Sequence, residues 1–217
     1  MSESELAAPL VAWLQDQNWD VYQEVQFRQR GGVADIVAVR NGIVWIIETK
    51  TSYSFKVLDQ ASSWPVHFRS VAVPKTFSDK RDYRVARFYY LVGVIEISSG
   101  GRIEEIVRPP VFTKNKKAVN DYKQQLTELH KTFASAGSKS GHHLTPYKQT
   151  ILEVRRVIDE NPGCTIKFLY QMLGSMHYAN GPSFRGNLLK ALCTFENDWC
   201  RVDHSGKSAK FYIRNNK

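Results

Sequence analysis

No apolar run in the sequence approaches the roughly 20 residues that a helix needs to span a bilayer, so no membrane partner is expected. The opening residues, Met1-Ser2-Glu3-Ser4-Glu5, are acidic and lead into an amphipathic segment. The basic start and apolar block of a signal peptide are missing, and the reading that follows is a cytoplasmic protein, nucleoid-associated if bacterial. Cysteine is scarce. Cys164, Cys193 and Cys200 form an odd, sparse set, which is not a disulfide framework. With His204 they lack the paired close spacing of a zinc finger, so burial as small apolar side chains is their expected fate. There is no internal repeat.

Acidic residues run short in the second half. Residues 1–110 hold 13 Lys+Arg and 13 Asp+Glu, whereas residues 111–217 hold 17 and 8, so the entire net charge of +9 falls there. A segregated basic region points to a polyanionic partner, and nucleic acid is the commonest one.

Local patterns divide the chain. Leu6, Leu10, Val11, Trp13 and Leu14 fall on one helical stripe, and Ser2 and Glu5 have capping-box spacing. Asp20–Arg28 alternates like a strand, with Val21, Val25 and Phe27 on one face and Tyr22, Glu24 and Gln26 on the other; Gly31-Gly32 then breaks it. Val33–Arg40 and Ile43–Lys50 are Val- and Ile-rich strands separated by Asn41-Gly42. That dipeptide signals a type I′ hairpin, which needs positive φ at both positions. Phe55 to Trp64 reads as a helix, His67 to Val73 as a strand and Asp79 to Tyr90 as a helix. Leu91–Ser98 and Arg102–Arg108 read as a hairpin ended by Pro109-Pro110. Ala118–Ala134 reads as a polar connecting helix and Ser135–His143 as a linker, with His142-His143 as linker rather than ligand. The expected layout is a first domain over 1–110, a connecting segment over 111–144 and a second domain over 145–217.

The Asn41-Gly42 turn sets the register of its hairpin. Val39 faces Val44, Val37 faces Ile46, and Asp35 then faces Glu48. Their neighbours on both faces are apolar, which places the pair in a sheet centre. Two like charges facing each other there are destabilising unless something compensates. A divalent cation does so, because hard carboxylate oxygens suit Mg²⁺. Lys50, two residues past Glu48, shares its face and can stabilise negative charge on a phosphate. The plainer alternative is an ion pair of Lys50 with Asp35 or Glu48, without metal.

Asp35 followed by Glu48-Thr49-Lys50 on the next strand resembles the PD-(D/E)XK nuclease superfamily, over about residues 1–108. Val33-Ala34-Asp35 stands where Pro-Asp is usual. The resemblance implies an α/β fold, a mixed central sheet flanked by helices as in restriction endonucleases. It implies metal-dependent hydrolysis of phosphodiester bonds with Mg²⁺, or Mn²⁺ as a substitute, and often a homodimer. Asp35, Glu48 and the Thr49 carbonyl would hold the metal, with Glu5 or Glu24 as a further ligand. Lys50 and Gln60 would complete the catalytic set. For Glu5 the alternative is its capping role, for Gln60 a solvated helix position, and for Glu24 a solvent-facing pair with Arg28.

In the second domain, Thr145-Pro146 is a helix start, followed by an apolar stripe of Ile151, Val154, Val157 and Ile158. Thr165–Leu173 and Ser183–Phe195 read as two more helices, and Trp199–Val202 with Lys210–Arg214 as a hairpin. This order resembles a winged helix-turn-helix. The resemblance implies that Ser183, Arg185, Asn187 and Lys190 face a nucleic-acid groove while Lys207 and Lys210 touch phosphates. Its alternative is a winged helix used for dimerisation. Three functions remain in view: a DNA endonuclease, a ribonuclease with the same site, and a catalytically silent nuclease-like fold that binds nucleic acid.

Overall fold

The computed structural model describes residues 1–27, 32–76, 83–112, 116–137 and 143–214. Arg28, Gly31, Asp79 and His142 lie outside the described residues, as does any pairing of Glu24 with Arg28. The chain divides into two compact units, Met1–Leu144 and Thr145–Lys217.

The first unit is α/β. Helix α1 (Glu3–Asp16) starts on the expected capping box: Ser2 accepts from the Glu5 backbone, and Glu5 accepts from the Ser2 backbone. Strands β1 (Asp20–Gln26), β2 (Val33–Arg40) and β3 (Ile43–Thr49) form an antiparallel meander. Asn41 and Gly42 both have positive φ, 50° and 81°, as a type I′ turn requires. Helix α2 (Phe55–Ser62) crosses over to β4 (Phe68–Pro74), which runs parallel to β3. A π-helical turn (Ala86–Tyr90) leads into β5 (Gly93–Ile97), parallel to β4, and β6 (Ile103–Val107) returns antiparallel. The result is one mixed six-stranded sheet in sequence order.

Both sheet faces are buried. On one, α1 packs Leu6, Leu10 and Leu14 against Ile36, Ala38, Trp45 and Ile47. On the other, Val37, Val44 and Ile46 meet Trp64, Val66, Val119 and Tyr122. β1 departs from simple alternation: Val21 joins the first cluster, whereas Val25 and Phe27 join the second. The cause is Glu24, whose φ of 52° puts a left-handed residue inside a strand and reverses which side the following residues face. Expecting Val21, Val25 and Phe27 on one face missed this.

Two short helices, α3 (Lys116–Lys123) and α4 (Leu129–Thr132), stand where one connecting helix was expected. They are part of the first unit. Val119 and Tyr122 are buried against Val25 and Phe27, and Gln23 bonds to the Lys131 carbonyl and the Ala136 N–H. Residues 111–144 carry 6 Lys+Arg and 2 Asp+Glu, so close to half of the basic excess belongs to this unit. Of the expected helix at Asp79–Tyr90, residues 84–90 are helical and end in the π-helical turn, while 79–82 lie outside the described residues.

The second unit holds α5 (Pro146–Glu160), α6 (Ile166–Leu173) and α7 (Gly181–Thr194). Thr145, Thr165 and Asn180 cap them through their side-chain oxygens. A three-stranded sheet, in the order β7 (Cys164–Thr165), β9 (Lys210–Ile213), β8 (Cys200–Asp203), closes the unit. β7 is two residues long, too short to leave a periodic signal in sequence. Val154, Val157, Ile158, Leu169, Phe184, Leu188 and Phe211 form its core. Cys200 and Cys164 lie in this apolar cluster, and burial pushes the Cys200 thiol up to about 11. No helix among the described residues is long and apolar enough to cross a membrane.

Candidate metal and phosphate site

The β2–β3 ladder runs from Arg40↔Ile43 to Ile36↔Ile47 in the register set by the turn. Asp35 and Glu48 come next, but they do not form a further ladder pair. The strands part there. The Thr49 backbone N–H donates to Asp35 Oδ2 at 2.8 Å, and the Thr49 hydroxyl donates to the same oxygen at 3.0 Å. β3 meanwhile stays paired to β4 through Glu48↔Val71 and Thr49↔Ala72. The carboxylate of Asp35 thus replaces a missing β2 acceptor and is locked by the backbone it satisfies.

Lys50 closes the group. Its Nζ lies 3.1 Å from Asp35 Oδ2, 3.2 Å from Glu3 Oε2 and 2.8 Å from the Thr49 carbonyl. Burial opposes its charge, but Asp35, Glu3 and Glu48 outweigh it and hold the ammonium above its ordinary range. Glu48 is 0% exposed. Its Oε1 accepts from the Trp64 indole N–H and its Oε2 from the Gln60 amide, each at 2.6 Å. Burial, then the charge of Asp35, push the Glu48 carboxyl well above the usual carboxylate range, although the Trp64 bond and Lys50 pull it down.

Glu24 lies on β1 opposite Asp35 of β2, between the pairs Gln23↔Ile36 and Val25↔Ala34. It is buried, it accepts from the Gly137 N–H at 2.8 Å, and its charge raises Glu48 further. A left-handed glutamate costs about 1–2 kcal/mol, and such strain concentrates at functional sites. Glu5, the other proposed acidic ligand, is exposed and engaged in the capping box, away from Lys50. Glu3 of the same helix reaches the site instead. Sequence held a signal for this: Glu3 falls on the stripe of Leu6, Ala7, Leu10 and Leu14. Trp64 was also missed, although a buried indole N–H needs an acceptor.

Among the described residues, no three His, Cys, Asp or Glu side chains converge as a metal-binding cluster. Mg²⁺ does not require one. It keeps several waters and binds through one or two carboxylates together with substrate phosphates. The donor chemistry here fits that pattern. Among the described residues, the three bonds to Asp35 fall on Oδ2 and leave Oδ1 available, and the buried Glu48 carboxylate carries a charge cost that a cation would relieve. The Thr49 carbonyl is taken by Lys50.

In the second unit, Ser183, Asn187 and Lys190 share one outward stripe of α7, with Asn187 donating to the Ser183 hydroxyl at 3.1 Å. Arg185 leaves that stripe and sits over the Tyr170 ring at 5.5 Å. Lys207 and Lys210 are exposed on the β8–β9 hairpin. Against protein-family models, curated proteins and solved structures, the chain matches none.

Proposed function

We propose that the protein is a metal-dependent endonuclease that hydrolyses phosphodiester bonds in DNA. The observation that carries this reading is the meeting of Asp35, Glu48, Lys50 and Gln60 where the β2–β3 hairpin parts. The element order α1-β1-β2-β3-α2-β4, with β4 parallel to β3, supports a restriction-endonuclease-like core. Three capped helices followed by a hairpin support a winged-helix second domain that adds nucleic-acid affinity.

Asp35 and Glu48 would hold Mg²⁺ or Mn²⁺. When bound, such a cation polarises a phosphoryl oxygen and lowers the pKa of bound water. The chain's own groups do the rest. Thr49 fixes Asp35 through two donors, and Trp64 and Gln60 fix each oxygen of Glu48. Lys50 holds a permanent positive charge beside them, suited to the charge that grows on a phosphate under attack. Glu3 anchors that ammonium from α1.

A second reading, a silent nuclease-like fold that only binds nucleic acid, is favoured by one observation: Lys50 already neutralises Asp35 by direct ion pairing. Cleavage of plasmid, linear duplex, branched and single-stranded DNA, and RNA, with Mg²⁺, Mn²⁺ or EDTA, separates the two. Metal-dependent cleavage lost in both Asp35→Ala and Lys50→Ala is the result expected. Binding without cleavage in any metal would sink the enzyme reading, and cleavage confined to RNA would make it a ribonuclease.

A further inference from the structure

Three large aromatic rings across α2 from the candidate site have no core to fill. Phe55 is 65% exposed, Phe88 73% and Tyr89 80%. Scattered exposed apolar residues are ordinary, but a cluster of rings is not. Here Tyr90 links two of them, with its ring centroid 5.1 Å from that of Tyr89 and 6.5 Å from that of Phe55, and Phe88 stands on the same π-helical turn.

The cluster is held in shape. Phe88, Tyr89 and Tyr90 sit on the π-helical turn, which ends at Leu91 in a left-handed conformation, φ 54°, with Val92 N–H bonded to the Ala86 carbonyl at 2.9 Å. The buried Arg69 guanidinium donates to the Tyr90 and Leu91 carbonyls, at 2.9 and 3.2 Å, and to the Ser62 carbonyl at the end of α2. The Tyr90 hydroxyl faces the Asp59 carboxylate of α2. These ties pre-order the rings, so a ligand meets them already in place.

Helix α2 relates this platform to the site. Val57, Leu58 and Ala61 face the sheet. Gln60, on one flank, touches Glu48, while Phe55 and Asp59, on the other, touch Tyr90. The rings and Glu48 therefore lie on opposite flanks of one helix, a separation on the order of 10–12 Å. Lys56 is exposed on the helix surface between them, and Arg84 and Arg87 are exposed on the turn segment, with Arg87 5.7 Å from the Phe88 ring centre.

We propose that Phe55, Phe88 and Tyr89 are a stacking platform for unpaired nucleobases. The favoured substrate then has single-stranded character next to the scissile bond, as in a flap, fork or single strand. Exposed rings interleaved with Lys and Arg match the chemistry of a single strand, whose bases offer open π-faces and whose phosphates carry negative charge. A perfect duplex keeps its base faces stacked and gains nothing from the rings. A second copy of the chain fits poorly, because a two-fold contact through this face would bring the Lys56, Arg84 and Arg87 charges of both copies together. The chemistry at the scissile bond rests on the nuclease reading; the stacking itself is measured by binding.

The test uses the full chain carrying Asp35→Asn, so that no cleavage interferes, and fluorescence anisotropy with a labelled 20-nucleotide single strand and its duplex. The double variant Phe88→Ala/Tyr89→Ala is expected to bind the single strand roughly tenfold or more weakly, and the duplex within about twofold. Phe88→Trp/Tyr89→Trp keeps the rings and is expected to retain single-strand binding. Equal losses on both ligands, or no loss on either, would overturn the platform. So would a shift from dimer to monomer in sedimentation on removing the two rings. Ring-dependent single-strand binding with no cleavage by the wild type keeps the platform and sinks the nuclease reading alone.

Discussion

The Gln60 side-chain amide donates to Oε2 of Glu48 at 2.6 Å, and the bond joins the middle of α2 to the end of β3. With the Trp64 indole on Oε1, it gives a fully buried carboxylate a fixed orientation and one partner for each oxygen. Both donors are neutral, so they hold the group without neutralising it. Burial and Asp35 keep its proton affinity high.

Glu48→Gln should therefore stabilise the metal-free protein while abolishing cleavage. The folded-state pKa of Glu48 is raised above its unfolded value, so the folded protein binds that proton more tightly. The stability it contributes is present below about pH 4.5 and lost as pH rises through the raised folded value. Melting of wild type and Glu48→Gln in EDTA should coincide near pH 4.5 and diverge by pH 8 in favour of the variant. A gain of 1 kcal/mol corresponds to about 2–4 °C in a chain of this size. Added Mg²⁺ should raise the wild-type melting temperature and leave the variant unmoved. A variant less stable than wild type at pH 8 in EDTA would refute the assignment of Glu48 as a strained ligand.

The two glutamates of α1 separate stability from activity. Ser2→Ala removes the cap that Glu5 reciprocates and should cost about 1 kcal/mol with little effect on cleavage. Glu3→Gln leaves the cap intact but loosens Lys50, and should lower kcat more than it changes the melting temperature. Thermal melts and steady-state cleavage of the same two variants decide it; the reverse pattern would put the helix's contribution at Glu5.

The hairpin was legible because Asn-Gly admits few turns, and the turn then fixes every pairing up to Ile36↔Ile47. The approach of Lys50 to Asp35 followed from that register. What lay beyond it did not. Alternation assumes extended backbone, and the left-handed Glu24 breaks the assumption without any mark in composition. The capping spacing drew attention to Glu5, although the buried stripe of α1 points Glu3 at the sheet. Arg69 reads as a surface cation in a strand, yet it is 2% exposed, bonded to the Ser62, Tyr90 and Leu91 carbonyls and stacked 3.5 Å over the Phe112 ring, an arrangement that tertiary contacts alone create.

Gly137 supports the acidic cluster through its lack of a side chain. Its φ is +73°, its N–H donates to Glu24, and a Cβ there would lie 2.4 Å from the Glu3 carbonyl carbon and 2.5 Å from the Ser4 nitrogen. These are backbone atoms that cannot rotate away. Gly137→Ala should therefore push α1 outward, at a cost of about 2 kcal/mol or more, and should weaken cleavage by displacing Glu3 from Lys50. Hydrogen exchange at the first turn of α1 reads the displacement directly; unchanged exchange with normal cleavage would contradict it.

His130 supplies a pH dependence away from the site. It is 3% exposed, and its Nδ1 accepts the Thr127 backbone N–H at 3.1 Å, with the Thr127 hydroxyl at 2.9 Å. An imidazole that accepts at Nδ1 is neutral with its proton on Nε2. Burial lowers its pKa below the ordinary 6.5. Between the lowered folded value and 6.5 the unfolded chain binds more protons, so stability rises with pH across that window. It is complete above about pH 6.5 and falls as pH drops through the folded value. Glu48 titrates with the opposite sign, so comparison with a variant is needed to isolate the histidine. His130→Gln should lower the melting temperature at pH 7.5, and the gap from wild type should narrow by a few degrees at pH 5. A gap that stays constant from pH 7.5 to 5 would mean that His130 is not held neutral by burial and its Thr127 bonds.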